Sequence, residues 1–234
     1  MKILGIDTST RYLSLGLYDT GKFYEFKLEL GIRLSAFLTT TIQRVLNSLN
    51  WRIKDLDYFV CGLGPGSFTG LRIGLATIKG LAWAARKPIV GIPTLDILAQ
   101  GAIAPDVILM PLVDAKRSLI YGSCYQCQKG ALKRLMPYSL LSPRDFLNKA
   151  KKIIGNKKFN NILIFGDGIN LIKDRAYLGM KGVKILDKDY WYPRPGNILC
   201  LGLDKIKAKK LDNVFEIQPI YLYPKDCQVK KAQN

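Results

Sequence analysis

The apolar run Ile3-Leu4-Gly5-Ile6 ends in Asp7, and the same device returns when residues 108–113 run into Asp114. Each acid is followed by a basic position, Thr10-Arg11 in the first case and Lys116-Arg117 in the second. A strand-like stretch comes next, 12–17 or 119–125, then a turn, Asp19-Thr20-Gly21 or Gly130, and a further strand-like stretch, 23–30 or 132–136. Short apolar runs bounded by turn residues read as strands, and glycine at the turn reads as a hairpin. Near-equal spacing of the same unit in one chain points to an internal duplication.

The rest of each half alternates helix and strand. Residues 34–49 carry Leu34, Leu38, Ile42, Val45, Leu46 and Leu49 at helical spacing. A buried strand is expected at 57–62, a glycine loop at Gly64-Pro65-Gly66-Ser67 and a second helix at 69–86. The second half continues with a helix near 142–152, a strand at 162–165 and Gly166-Asp167-Gly168; a last helix starts near Gly196, and 218–222 are extended. The predicted organisation is a half at 1–104 carrying partner-binding helices, a half at 105–224 whose last helix packs back on the first, and a tail at 225–234. Two βββαβα-type halves make an α/β chain that resembles the duplicated actin-like (ASKHA, ribonuclease H-like) fold of actin, sugar kinases and Hsp70. That resemblance implies two strand-end loops gripping nucleotide phosphates and magnesium. Asp7-Thr8-Ser9 resembles the first loop in degenerate form, or simply ends a strand and caps a turn through its carboxylate. Asp114-Ala115-Lys116-Arg117 has two bulky cations and no glycine, a poor cradle for a phosphate.

Composition narrows the chemistry. The chain has 234 residues and no histidine, which excludes Ser-His and Cys-His nucleophile pairs and every histidine-ligated metal. The five cysteines, Cys61, Cys124, Cys127, Cys200 and Cys227, are scattered and odd in number, so no disulfide framework is expected. Cys124 and Cys127 form a lone CxxC in a strand, where odd spacing sends them to opposite faces. No apolar run approaches the roughly 20 residues that cross a bilayer, and the N-terminus does not read as a signal peptide. No membrane association and a cytoplasmic location are the expectations. Lys+Arg outnumber Asp+Glu 36 to 18, with clusters at Lys149, Lys151, Lys152, Lys157, Lys158 and at Lys205, Lys207, Lys209, Lys210. Such a field attracts polyanions, tRNA included, or is a solvated basic surface.

The most specific stretch is Gly64-Pro65-Gly66-Ser67-Phe68-Thr69-Gly70-Leu71-Arg72-Ile73-Gly74. Its glycines permit a tight strand-to-helix turn, and Ser67 or Thr69 can cap the helix. It is not a P-loop, because no lysine follows the second glycine in register. The stretch resembles the signature of the TsaB (YeaZ) family of tRNA threonylcarbamoyladenosine biosynthesis proteins. Residues 3–9, 93–99, 113–117 with Tyr121-Gly122, 166–168 and 219–222 resemble further family landmarks, so the resemblance covers nearly the whole chain. One departure is Leu34 before Ser35, where members often carry histidine.

The resemblance implies a non-catalytic partner subunit of TsaD, the histidine-metal enzyme that transfers threonylcarbamoyl to the adenosine beside the anticodon. It also implies TsaE in a larger complex, a homodimer when alone, and tRNA engaged through the complex. No cofactor is expected on the chain alone; ATP is used by the complex, with room for a nucleotide at the TsaD interface. The alternatives are a small-molecule kinase or ATPase of the actin-like superfamily and a basic tRNA-binding scaffold. In the helix at 69–86, Gly70, Ile73, Gly74, Thr77, Gly80, Leu81 and Ala84 fall on one arc, next to Leu71, Leu75, Ile78, Ala82 and Ala85. Three glycines inside a helix cost about 1 kcal/mol each relative to alanine, and small residues admit a second backbone. With Phe37 and Thr41 of the first helix, this arc is the expected partner interface, as the family's four-helix bundle implies.

Overall fold

The computed structural model describes residues 1–128, 130–155, 161–172 and 182–224. Lys157, Lys158, Cys227 and the expected tail at 225–234 lie outside the described residues.

Two five-stranded sheets form, each with a helical layer on both faces or on one face and the neighbouring lobe. The first contains β1 (Lys2–Asp7), β2 (Tyr12–Asp19), β3 (Lys22–Glu29), β4 (Tyr58–Gly62) and β5 (Ile89–Ile92), in the order β3-β2-β1-β4-β5. The second contains β6 (Val107–Asp114), β7 (Ile120–Gln128), β8 (Ala131–Leu141), β9 (Asn161–Phe165) and β10 (Val183–Ile185), in the order β8-β7-β6-β9-β10. The two orders are the same, with antiparallel hairpins on one side of β1 or β6 and parallel neighbours on the other. This is the duplicated actin-like plan. The turn at Thr20 (φ 43°) and Gly21 (φ 90°) has both central residues left-handed, which matches the twist of the strands it joins.

Strand alternation decides what covers each face. In the first sheet Leu4, Ile6, Phe59 and Cys61 face α1 (Leu34–Ser48) and α2 (Phe68–Ala85), whereas Ile3, Val60, Val90 and Ile92 face the other way. That second face is covered by Ile198, Leu199, Leu203 and Ile206 of α5 (Pro195–Lys207). The last helix among the described residues therefore packs on the first sheet, and Gly16 leaves room for the Leu199 side chain. In the second sheet α4 (Pro143–Ile154) covers Ile108, Met110 and Leu112, and α3 (Thr94–Gln100) packs Leu95, Leu98 and Ala99 onto Val107, Leu109 and Tyr125. α3 also gives Ile97 to the core of the first sheet, so it is a wedge shared by both lobes.

Cys124 and Cys127 are fully buried in cores on opposite faces of the second sheet, as odd strand spacing predicts. Burial raises the Cys124 thiol to about 12, so it is a packing residue at neutral pH. Among the described residues, no helix is long and apolar enough to cross a membrane.

Candidate functional site

The glycine-rich stretch and the first acid meet at the centre of the molecule. Asp7, at the end of β1, is buried, and its carboxylate accepts the Ser9 N–H at 2.9 Å, the Ser9 hydroxyl at 2.6 Å and the Thr94 hydroxyl at 2.8 Å. Burial raises its pKa, and the hydrogen bonds from Ser9 and Thr94 act against that rise. Thr94 in turn accepts the Gly64 N–H at 3.1 Å, and the Gly64 carbonyl accepts the Thr94 N–H at 2.7 Å. One carboxylate thus joins β1, the glycine loop and the start of α3.

The rest of the stretch holds the Asp7-Thr8-Ser9 turn from the other side. Gly64 is left-handed at φ 85°, and the Gly64–Pro65 peptide is cis. Gly66 lies against the Ser9 backbone, where any β-carbon would overlap it. Ser67 donates its N–H to the Ser9 carbonyl at 2.7 Å, and its hydroxyl caps α2 by accepting the Gly70 N–H at 3.2 Å. Thr8 donates to the Gly70 carbonyl at 2.8 Å, and its side chain fills the space over Gly74. Phe68 carries the Arg72 guanidinium 3.8 Å from its ring centre, while Arg72 Nε donates to the Tyr221 hydroxyl at 3.1 Å. Thr69 is exposed at the cleft edge.

These contacts correct part of the expected interface. Gly70 and Gly74 do not belong to an open face: both are buried and packed on Thr8 of the same chain. The helix wheel assigned them outward because it cannot see a loop folding over the helix start. Leu81 is half-buried against the core of the first lobe. Ile73 has the same standing, half-buried against that core, and Thr77 is half-buried; what is exposed on this side of α2 is Gly80 and Ala84, joined by Ala76, which the sequence reading passed over. A β-carbon on Gly80 would meet nothing. On α1, Phe37 is 43 % exposed, Thr41 is half-buried, and Ile32, just before the helix, is wholly exposed.

A cleft of about 800 Å³ separates the lobes, lined by Ser9, Arg11, Ser67, Asp114, Lys116 and Asp167 among others. Lys116 N–H donates to Asp114 Oδ1 at 2.7 Å, the same turn that Ser9 makes on Asp7, so Ser9 rather than Thr10 is the counterpart of Lys116. The Lys116 ammonium folds back onto Asp114 Oδ2 at 2.7 Å and neutralises the acid of the second loop. Lys116, Arg117 and Ser118 are all left-handed, at φ 67°, 52° and 58°. Asp167 accepts the Asp114 N–H at 2.9 Å, with its pKa raised by burial. The Asp7 carboxylate is buried and that of Asp114 is turned onto Lys116; among the described residues no group of three acids, cysteines or histidines stands together as a metal site would need.

Sequence reasoning missed the joint between lobes. Asp96 Oδ1 on α3 accepts both the Tyr125 hydroxyl at 2.6 Å and the Tyr138 hydroxyl at 2.8 Å from the second sheet. Nothing in a tyrosine two strands away announces its partner. β5 could have been found, since Ile89-Val90-Gly91-Ile92 is an apolar run between Pro88 and Pro93.

Comparison with known proteins agrees with this geometry. Residues 33–219 match the family model described as TsaD: tRNA N6-adenosine threonylcarbamoyltransferase. The tRNA threonylcarbamoyladenosine biosynthesis protein TsaB of Bacillus subtilis (strain 168) is 30% identical over 100% of this chain and 99% of its own. The TsaB protein of Escherichia coli (strain K12) is 34% identical over 95% of this chain and 94% of its own. The solved structure of YeaZ from Pseudomonas aeruginosa superposes with a TM-score of 0.79 at 23% identity, covering 94% of this chain and 99% of that one. With a family model that spans most of the chain and relatives at 30% and 34% identity over nearly their full length, the chain belongs to the TsaD family and, within it, to the TsaB proteins of tRNA threonylcarbamoyladenosine biosynthesis.

Proposed function

We propose that this protein is a non-catalytic subunit that docks on a TsaD-type threonylcarbamoyltransferase and enables threonylcarbamoyl transfer to the adenosine beside the anticodon of tRNA. The observation that carries the docking is the outward ridge Ala76, Gly80 and Ala84 of α2, flanked by half-buried Ile73 and Thr77, with Phe37 and Ile32 exposed on and before α1. Small residues along a surface helix have no use in the chain's own core, and they let a second helix approach to the usual 8–10 Å axis separation. In the absence of the transferase, the same ridge pairs two copies of this chain. A TsaE-type protein completes a larger assembly in the cytoplasm, and tRNA is engaged through that assembly.

The non-catalytic part of the reading is supported by the absence of histidine and by the state of both strand-end acids. Asp7 already accepts three hydrogen bonds, and Asp114 is paired with Lys116. ATP is used by the complex, with any nucleotide held at the transferase interface. The cleft of about 800 Å³ favours a second reading, a small-molecule kinase or ATPase. Isothermal titration of the isolated chain with ATP and magnesium separates the two, and the proposal expects no saturable heat. The direct test is threonylcarbamoyl transfer by a cognate TsaD-type enzyme with and without this chain. Transfer that requires the chain supports the proposal, and equal transfer without it contradicts it.

A further inference from the structure

Beside the cleft, a smaller chamber of about 270 Å³ lies between the start of α2, the second strand-end loop and the extended segment at 220–223. Its walls include Phe68, Tyr121, Tyr221, Tyr223, Ile220 and Leu222. The rings hold one another in place. Phe68 and Tyr221 pack with 5.3 Å between ring centres, and Tyr121 meets Tyr223 edge-on at 6.2 Å. The Tyr221 hydroxyl accepts Arg72 Nε at 3.1 Å, and the Tyr223 hydroxyl donates to the Ala115 carbonyl at 2.9 Å. The Tyr121 hydroxyl is different. Tyr121 is only 7 % exposed, yet its hydroxyl makes no hydrogen bond among the described residues. No side-chain oxygen or nitrogen among those residues is sealed from solvent without a partner, so this hydroxyl is reached through the cavity that it lines. Burial, and then the neighbouring Tyr223, push its pKa up to about 12, so it keeps its proton at neutral pH and has it to donate.

Arg117 supplies the charge that goes with this donor. Its guanidinium lies 5.9 Å from the Tyr223 ring centre, it lines the chamber, and it forms no ion pair among the described residues. Lys116 is engaged by Asp114, which neutralises the acid of the same loop. Lys116, Arg117 and Ser118 are left-handed in succession, and strain of that kind collects at ligand sites. Tyr121 and Arg117 both flank the Tyr223 ring, so one ligand reaches both. A buried hydroxyl without a partner costs free energy that phenylalanine would avoid. Aromatic walls call for a flat apolar body, and a free donor beside a free cation calls for an anion. We infer that this chamber binds a small aromatic carboxylate, with its ring among Phe68, Tyr221 and Tyr223 and its carboxylate held by the Tyr121 hydroxyl and the Arg117 guanidinium. The volume is at the small end of ligand pockets, which suits a single ring with a short acid arm and not a nucleotide. The inference does not depend on the docking reading, because Ala76, Gly80 and Ala84 lie outside the chamber.

The experiment titrates the full-length protein, its tyrosine rings labelled with carbon-13, with phenylacetate while the ring signals are followed by NMR. Acetate supplies the anion without the ring, and benzyl alcohol the ring without the charge. The expected result is a saturable shift of the Tyr121, Tyr221 and Tyr223 signals with phenylacetate, and binding weaker by about tenfold or more with either control. Tyr121→Phe weakens phenylacetate by about tenfold or more, as the loss of a hydrogen bond to a charged group requires. Its thermal melt is unchanged or slightly raised, because the hydroxyl has no partner in the empty chain to lose. Arg117→Gln, at an exposed position, weakens binding to a similar extent and keeps the fold. The absence of a saturable shift, a shift confined to other tyrosines, or acetate or benzyl alcohol binding as tightly as phenylacetate overturns the inference. Binding at the parent level by either variant overturns it as well.

Discussion

The backbone of Gly74 lies against the side chain of Thr8, leaving no room for a β-carbon. On the same helix, Gly80 faces open space. Two glycines in one sequence pattern therefore do opposite jobs: one admits the chain's own loop, and the other leaves a surface flat.

The contrast predicts opposite signs. Gly74→Leu overpacks the Thr8 contact and costs at least about 1–3 kcal/mol. At this chain length that lowers the melting temperature by roughly 2–4 °C per kcal/mol. Gly80→Ala replaces a flexible residue at an unobstructed helical position and gains about 0.5–1 kcal/mol. Thermal melts of dilute protein check both, and a neutral Gly74→Leu would show that the Thr8 contact yields easily.

Asp96 gives the joint between lobes a measurable strength. Tyr125 is nearly fully buried, and burial followed by the Asp96 charge pushes its phenol pKa up, so the hydroxyl stays a donor throughout the working pH range. Asp96→Ala leaves two tyrosine hydroxyls without this acceptor and costs about 1–3 kcal/mol for each buried group left unsatisfied. In that background Tyr125→Phe costs less than in the parent, with a coupling energy on the order of 0.5–3 kcal/mol. A double-mutant cycle on denaturant melts reads this, and strict additivity would mean the two groups do not share energy.

Asp7 sets a pH dependence of definite sign. Because burial raises its folded pKa above the ordinary 3.8, the folded protein holds this proton more tightly than the unfolded chain. Its contribution to stability is full below 3.8 and declines as pH rises through the folded value. Asp7→Asn removes that decline, so the difference in stability between parent and variant changes with pH in the acid range and is flat above it. The check is urea unfolding of both proteins across a pH series. A parent that loses stability through Asp7 as pH falls would reverse the assignment and make its hydrogen bonds outweigh its burial.

Much of this architecture was legible because it rests on local rules. The repeated strand, acid and hairpin announced two like sheets, and the Leu34, Leu38, Ile42, Val45, Leu46 stripe marked the buried face of α1. Ser67 was readable as a cap, and it is one. What was not legible depended on contacts distant in sequence. Thr8 covering Gly70 and Gly74 converts apparent surface into core, because helical periodicity records which residues share a face and not what lies over it. The short helix α3 has too few turns to show a period, and its role as a wedge comes from position between two sheets. Asp96 carries no sequence signal for two tyrosines 29 and 42 residues away.

Docking through the outward ridge of α2 is the central claim, and Gly80→Arg addresses it directly. In the dilute, dissociated chain the side chain enters open space, and arginine is a better helix former than glycine by roughly 0.8 kcal/mol, so the fold is kept and the melting temperature holds or rises slightly, while a helix packed on that ridge would be held off. The measurement is co-purification of the Gly80→Arg protein with its cognate TsaD-type enzyme, alongside the parent chain. The account predicts a melt at dilution that is unchanged or slightly raised, with association lost by at least an order of magnitude. Full association by a normally folded Gly80→Arg protein would contradict it and move the partner surface away from α2.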